Sequence, residues 1–253
     1  GILLREDWIK ENDIVKSSIF IWELALDGKL RKVSWVLPST IWAKEKWYKR
    51  VFLPEWNWIE ASIVPWIDII PVKNLKDLIA MLNNDKEIII QEKVELNLNE
   101  SEESKHDFKY VIWQEHAKRA LEIAATGWHN ILMNGPPGSW KTMLAKAFST
   151  ILPVLTIDEV IEISKIYSIS GLLTNENPLI MKRPFRSVHH TASSISIIGW
   201  WRNAKPWEIS LAHKWVLFLD EILEFHKSVL EVLRQPLEDW NITVTRVNAS
   251  YNY

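Results

Sequence analysis

The residues with the clearest chemical meaning form one segment, Gly135–Thr142, which reads Gly-Pro-Pro-Gly-Ser-Trp-Lys-Thr. Its spacing matches the phosphate-binding loop G-x-x-x-x-G-K-[ST] except at the second glycine, where Trp140 stands. In such a loop backbone N–H groups wrap the phosphates, the lysine contacts the outer two, and the hydroxyl meets Mg²⁺. The pattern predicts that ATP and Mg²⁺ are bound by Gly135, Pro136, Pro137, Gly138, Ser139, Trp140, Lys141 and Thr142.

An acidic pair, Asp220 and Glu221, directly follows the apolar run Val216–Leu219. A carboxylate at the end of a buried strand beside the P-loop strand can complete a Mg²⁺ shell, and the adjacent glutamate can polarise an attacking water. A helix N-cap followed by a first-turn acid is the alternative interpretation of such a pair. Because a P-loop lies upstream, we predict Thr142 and Asp220 as metal ligands and Glu221 and Lys141 as catalytic residues.

These side chains need particular elements to position them. The apolar stretch 130–134 predicts a short strand leading into the loop, and 141–152 predicts the helix after it, whose N-terminus adds partial positive charge to the phosphate site. Residues 216–219 predict a second strand, 226–236 a helix and 242–247 a further strand. Strands that alternate with helices predict an α/β fold, a parallel sheet with helices on both faces.

The chain divides at an acidic, polar stretch. We predict a first domain over residues 1–91, a linker over 92–106 and a second domain over 107–253. The first domain is predicted to hold two strands around Asp27-Gly28 within 17–37, a helix at 38–47, strands at 50–54 and 67–72, and a helix at 75–82.

Tryptophan is the most unusual feature of the composition, with 16 Trp beside only 7 Gly in 253 residues. Glycine alone averages about 7% of residues in proteins. Many of these tryptophans stand where a turn or loop calls for glycine, as Trp140 does. We expect them to be glycine in the working protein, through a codon such as UGA that is read as Trp in some translation tables and as Gly in certain bacterial lineages. The alternative is a genuinely Trp-rich protein with core or stacking indoles.

The segment Arg183–Thr191 gathers basic and aromatic residues with two adjacent histidines. It fits contact with nucleic acid or a neighbouring subunit, and it fits a structural loop equally well. The net charge of −2 gives no global signature of nucleic-acid binding. The chain has no cysteine, which excludes disulfides and thiolate metal sites, and no apolar run of transmembrane length, so we expect no membrane partner and a cytoplasmic location.

The second domain resembles the ComM/YifB family of magnesium-chelatase-like AAA+ ATPases, and the resemblance covers nearly all of 107–253. The family has glycine at the positions of seven of the tryptophans: Trp113, Trp140, Trp200, Trp201, Trp207, Trp215 and Trp240. Besides the P-loop, the resemblance is carried by Gln114–Ala124, Arg183–Arg186 with His189–Thr191, Lys205–His213, Trp215–Phe225 and Leu233–Asp239.

The first domain resembles the α+β, Lon-protease-like N-terminal domain of the same family, through Phe20–Arg31 and Tyr48–Asn57. In the protease a catalytic lysine lies near the position that Pro38 occupies here. We expect the segment for the nucleophilic serine to precede Gly1. The resemblance therefore implies a domain without protease activity.

The resemblance implies a hexameric ring motor that hydrolyses ATP and acts on DNA, by branch migration or helicase activity in the recombination of transforming DNA. Two rivals are a magnesium-chelatase-type motor that remodels a protein partner and a relative of ATP-dependent proteases. The chain starts without Met and stops at Tyr253 within a predicted strand region, so we expect a fragment. The family's sensor and arginine finger are expected after Tyr253, and this fragment alone is expected to be inactive.

Overall fold

The computed structural model describes most of the chain and divides it into two compact units. The first unit contains Gly1–Leu96 and also Ser164–Ile180, a segment that the sequence prediction placed in the second domain. The second unit contains Asn97–Ile163 and Met181–Tyr253. Residues 95–105 of the predicted linker lie outside the described part of the chain. The described residues are 2–94, 106–183, 185–191, 208–214, 216–239, 243–245 and 250–252.

The first unit is built on a three-stranded parallel sheet. Strand β4 (Arg50–Pro54) lies in the middle, with β1 (Ser18–Phe20) and β5 (Asp68–Val72) on either side. The interruption by Pro71 is tolerated because β5 is an edge strand, where a missing N–H costs little. The sequence prediction of strands at 50–54 and 67–72 is confirmed.

The predicted hairpin is present but shorter than expected. Strands β2 (Glu23–Leu24) and β3 (Leu30–Arg31) pair antiparallel, and Gly28 adopts a φ of 81° in the turn between them. The residues before β2 do not continue the hairpin, because β1 pairs in parallel with β4 instead. An alternation of apolar and polar residues predicts a strand, but it does not determine which other strand pairs with it.

Helices cover both faces of this sheet because its side chains alternate. Val51 and Leu53 pack in one apolar cluster with residues of α3 (Val36–Glu45), whereas Phe52 packs in another with residues of α5 (Leu75–Leu82). Asn74 caps α5 by accepting a hydrogen bond from the Asp77 N–H at 2.8 Å. The remaining helices of this unit are short: α1 (Ile2–Arg5), α2 (Asp13–Lys16) and α4 (Trp58–Ser62).

The buried carboxyl group of Glu60 forms hydrogen bonds with α3 and with Ser164–Ile180, the later segment of the chain that belongs to this unit. That segment includes the end of α8 (Ile157–Ser170). Glu60 Oε1 accepts hydrogen bonds from the Leu37 N–H at 3.1 Å and from the Ser168 hydroxyl at 3.0 Å. Burial raises the pKa of Glu60 above its ordinary value, even though these hydrogen bonds favour the charged form.

The second unit contains the elements predicted to carry chemistry. Helices α6 (Glu115–Gly127) and α7 (Lys141–Ile151) pack together around a cluster that includes Leu121, Leu144 and Phe148. Strands β6 (Phe185–Val188) and β7 (Val216–Leu219) form a parallel pair. The other elements are α9 (Glu208–Leu211), α10 (Lys227–Asp239), β8 (Thr243–Thr245) and β9 (Ser250–Asn252), the last two paired antiparallel.

The predicted helices at 141–152 and 226–236 are confirmed as α7 and α10, and the predicted strand at 216–219 is confirmed as β7. One predicted strand is absent. The stretch 130–134 was predicted as a strand, yet it has no regular secondary structure. Nothing in the described part of the chain pairs with it, and Leu132 is 79% exposed. An apolar run becomes a strand only when a neighbour supplies ladder hydrogen bonds. Of the predicted strand 242–247, only 243–245 are described, and these are in β8.

The helices in the described residues are too short or too polar to traverse a lipid bilayer.

The tryptophans concentrate in a backbone conformation that suits glycine. Eleven of the 16 are described, and six of these have a φ between 55° and 82°. Only a few per cent of non-glycine residues adopt positive φ, and bulky ones almost never do. Nine of the eleven are at least half exposed, so the core interpretation of these indoles is wrong for most of them. The six are Trp35, Trp47, Trp66, Trp113, Trp128 and Trp140.

Two of the six close helices in the way that glycine does. After α3, the N–H of Tyr48 reaches back to the Ala43 carbonyl at 3.1 Å, with Trp47 between them in the left-handed conformation. After α6, the N–H of His129 reaches the Ala124 carbonyl at 3.1 Å across Trp128. This closing bond is the Schellman motif, whose left-handed position is usually glycine.

We predict that Trp47→Gly raises the free energy of unfolding by about 1 kcal/mol, since it removes the steric cost of a Cβ at positive φ. The matched control is Trp42→Gly within α3, half exposed and at negative φ, which should lower stability by about 1 kcal/mol. Denaturant unfolding followed by circular dichroism measures both. A loss of stability in both variants would contradict the analysis.

We predict a pH dependence that arises from Glu60. Its raised pKa means that the folded state holds this proton more tightly, so stability rises as the pH falls through the range above the usual glutamate value of 4.5. Raising the pH back through that range removes the gain. Glu60→Gln keeps an acceptor for Leu37 and Ser168 and should abolish this part of the dependence. Unfolding midpoints measured between about pH 5 and pH 8 compare the two proteins. If the midpoints of both proteins change equally with pH, the prediction is wrong.

Candidate functional site

The P-loop segment forms a turn that ends where α7 begins. Trp140 occupies the N-cap of α7 with φ 62° and ψ 21°, and its side chain makes no capping bond. Its carbonyl accepts the hydrogen bond of the Leu144 N–H at 2.9 Å. The loop is tied down by the amide of Gln114, which donates to the Ser139 carbonyl at 3.0 Å. The sequence-predicted loop and helix are therefore contiguous in the structure.

The ammonium group of Lys141 lies against this loop. Its Nζ donates to the carbonyls of Gly135 at 2.8 Å and Pro136 at 3.0 Å, and lies 3.4 Å from the Ser139 hydroxyl. The first turn of α7 contains no acidic residue, so no carboxylate competes with an anion there. Thr142 is exposed in the same turn. This donor set, a cation, a hydroxyl and a helix N-terminus, fits a phosphate group.

Trp140 is the one member of the loop that does not fit. Its backbone already has the left-handed conformation, as Gly138 does with a φ of 76°. For an L residue that conformation costs roughly 1–2 kcal/mol. The indole is 65% exposed, and close approach of a loop backbone to a phosphate generally requires glycine. The backbone path therefore suits glycine at position 140, and the side chain does not suit a ligand.

The acidic pair lies just past the carboxyl end of β7. Asp220 is half-buried and Glu221 is exposed, with a left-handed φ of 55°. Glu221 stands at the N-cap of a short 3₁₀ turn, Ile222–Glu224, but its side chain makes no capping bond. The alternative interpretation, an N-cap followed by a first-turn acid, is therefore wrong, because the N-cap position falls on the second acid of the pair. A non-glycine residue in a sparsely populated conformation is common at functional sites.

The loop and the acidic pair belong to the same unit, but no hydrogen bond or ion pair within the described ranges joins Lys141 or Thr142 to Asp220 or Glu221. Those ranges also hold no cluster of three or more His, Asp or Glu residues able to bind a metal ion alone. Mg²⁺ is usually held by one or two protein groups together with substrate phosphates. Thr142 and Asp220 suit that mode of binding.

The basic cluster that includes Arg183 and Arg186 is internally paired. The Arg183 guanidinium, almost fully buried, donates to the carbonyls of Pro153 and Lys214, both at 2.7 Å, and to Glu159 at 3.2 Å. Arg186 makes a two-pronged ion pair with Glu208. These contacts support the structural interpretation for both arginines.

The pKa of Glu159 reflects this pairing. Burial alone would raise it, but the Thr156 N–H and the charge of Arg183 outweigh burial and lower it below its ordinary value.

One contact of the acidic pair was not predicted from the sequence. His190 Nδ1 lies 3.0 Å from Glu221 Oε2. Both residues come two positions after neighbouring parallel strands, β6 and β7, whose last residues Val188 and Leu219 pair in register. In the sequence, each of these two short strands is followed by polar residues, but the sequence does not show which residues of the two strands pair.

Comparison of the sequence with known proteins identifies a family. Residues 107–253 match the family described as "Magnesium chelatase, subunit ChlI". The chain is 40% identical to "Competence protein ComM" of Haemophilus influenzae over all of its own length and 50% of that protein. It is 38% identical to "Uncharacterized protein Rv2897c" of Mycobacterium tuberculosis and 36% identical to "Uncharacterized protein YifB" of Escherichia coli, each over 92% of this chain.

These last two alignments cover 46% and 45% of the respective relatives, so the chain spans about half the length of the curated relatives it matches. The match of residues 107–253, most of which lie in the second unit, identifies an AAA+-type module, in agreement with the parallel β6–β7 pair and the helices of that unit. The predicted α/β class is confirmed. The chain belongs to the ComM/YifB family of magnesium-chelatase-like proteins.

Proposed function

We propose that the second unit binds ATP with Mg²⁺ and takes part in ATP hydrolysis. Lys141 contacts the outer phosphates, while Thr142 and Asp220 hold Mg²⁺, which neutralises phosphate charge. Glu221 accepts a proton from the water whose oxygen attacks the γ-phosphate, and ADP and phosphate leave. This proposal rests on the position of the Lys141 ammonium group. It lies against the loop at the N-terminus of α7, whose first turn contains no acidic residue.

We further propose that the whole protein is a motor that acts on DNA, with branch migration or helicase activity in the recombination of transforming DNA, and that it assembles into a hexameric ring. The support is its likeness to a protein named for competence. The second candidate is a motor that remodels a protein partner, supported by the match to a magnesium chelatase subunit. We propose the first unit as a Lon-like domain without protease activity, since Pro38 in the first turn of α3 supplies no amine.

A proposal about residue 140 underlies both candidates. We propose that the working protein carries glycine at Trp140 and at the other five left-handed tryptophans. The support is that these positions combine a φ that glycine prefers with indoles that are at least half exposed to water. Two of them occupy helix C-terminal positions that commonly hold glycine. Peptides from the native host that carry the mass of tryptophan at position 140 would end this proposal.

We predict that the chain with Trp140 does not bind ATP and that Trp140→Gly restores binding, because the indole blocks close approach to the loop. Titration with a fluorescent ATP analogue in the presence of Mg²⁺ measures the difference. Adding Lys141→Ala to the Trp140→Gly background is the matched control and should abolish the restored binding. Equal affinity with and without the indole would contradict the prediction.

We predict that forked DNA stimulates ATP hydrolysis by the full-length protein that carries glycine at the six left-handed tryptophan positions. A motor that acts on DNA couples ATP hydrolysis to DNA binding, whereas a motor that remodels proteins does not respond to DNA. Glu221→Gln should bind the nucleotide yet hydrolyse it at least 100-fold more slowly, because it lacks the general base. Phosphate release with and without DNA distinguishes the two candidates. An unstimulated rate would favour the protein-remodelling function.

A further inference from the structure

A groove follows the β2–β3 hairpin of the first unit. Its volume is about 600 Å³, within the range of pockets that bind small ligands, and all of its lining residues belong to this unit. Three of the lining residues are the cations Lys29, Arg31 and Lys32, whereas the one acid among them is Asp27. The groove therefore carries an excess of positive charge, although the net charge of the whole chain is −2.

The backbone that carries two of these cations is fixed to the rest of the unit. The N–H of Leu30 donates to the Lys73 carbonyl at 3.0 Å, and the Leu30 side chain is buried in the core. Because successive side chains of an extended segment point to opposite faces, Lys29 and Arg31 leave on the side away from the core, and both are exposed. Their positions follow from the pairing of the hairpin.

The third cation is held by neutral oxygen atoms. Nζ of Lys32 donates to the Leu173 carbonyl at 2.8 Å and lies 3.4 Å from Oδ1 of Asn175. An ammonium group has three N–H donors, so one remains for a further acceptor. Neither of these two partners is charged, so they leave the positive charge of Lys32 to attract an anion. Asp27 Oδ2, by contrast, lies 3.3 Å from Lys29 Nζ and offsets only that cation.

An apolar side chain stands beside these charges. Leu26 lies in the hairpin turn, lines the same groove and is fully exposed to water. Proteins that bind single strands of nucleic acid combine a positively charged groove with side chains against which bases stack. Apolar side chains such as leucine also pack against bases in other complexes. The groove has both the charge and the apolar surface for such a ligand.

We propose that this groove binds single-stranded DNA. Lys29, Arg31 and Lys32 contact backbone phosphates, and Leu26 packs against a base. Binding is independent of sequence, because phosphates carry no base information. The volume suits one or two nucleotides of a strand and not the side of a rigid duplex. The inference rests on the proposed function of the whole protein as a motor that acts on DNA, and it assigns a DNA contact to the first unit.

The test measures binding of a fluorescent oligothymidine strand to the full-length protein with glycine at the six left-handed tryptophan positions. Lys29→Ala combined with Arg31→Ala should weaken binding roughly 10- to 30-fold at about 0.1 M salt. The slope of log affinity against log salt should become shallower by about 1.4, since each phosphate contact with a single strand contributes about 0.7. Lys29→Arg combined with Arg31→Lys keeps both charges and should retain most of the affinity.

The matched control is Lys46→Ala combined with Lys76→Ala, which removes two exposed cations of the same unit that do not line the groove. It should keep the affinity and the salt dependence of the parent protein. Equal losses in both alanine variants would overturn the inference, because overall charge would then explain them. Unchanged binding after loss of Lys29 and Arg31 would overturn it too, as would an equal loss of affinity for a duplex of the same length.

ATP hydrolysis without DNA separates this inference from the proposed function. The rate should be the same in the parent protein and in the variant that lacks Lys29 and Arg31, because neither residue belongs to the proposed ATP site. If the parent protein hydrolyses ATP but binds no DNA, the proposed action on DNA fails first and the inference fails with it. If the parent binds the strand and the alanine variant binds it equally well, only the inference fails.

Discussion

A left-handed residue at the start of α7 is the constraint on which the candidate site depends. At position 140 the chain must turn from a loop into a helix while its backbone amides stay close to any bound phosphate. The φ of 62° achieves that turn, and the residue after it, Lys141, then lies against the loop carbonyls. The same conformation recurs after α3 and α6, where it ends helices. The candidate phosphate site and two helix ends, one in each unit, therefore share one backbone requirement.

The sequence predicted the elements whose signals are local. The helix from Lys141 and the strand Val216–Leu219 appear where expected, because an amphipathic or continuously apolar run is sufficient to define each of them. The anomalous tryptophans were also recognised from their neighbours alone. In the candidate site, the loop precedes α7 and the acidic pair follows β7, as the local pattern indicates, and the chemical roles of these residues stay predictions.

The sequence could not predict features that depend on distant partners. The stretch 130–134 looks like a strand, but nothing described pairs with it. The end of α8 looks like part of the second domain, yet Ser168 binds Glu60, more than a hundred positions earlier. The approach of His190 to Glu221 depends on strand register, which period-2 patterning leaves open. The sequence around Arg183 likewise fits contact with a partner, whereas in the structure its buried guanidinium donates to the carbonyls of Pro153 and Lys214.

The exposed indoles have a practical consequence for handling this protein. Nine described tryptophans leave at least half of their surface in water, and Trp47 leaves 91%. Apolar surface of this kind promotes self-association. If the six left-handed positions are glycine in the working protein, as we propose, a laboratory host that inserts tryptophan there makes a chain that is more prone to aggregate during purification. A recoded gene is therefore the starting material for biochemistry, and differences in solubility between the two versions will appear before any assay is run.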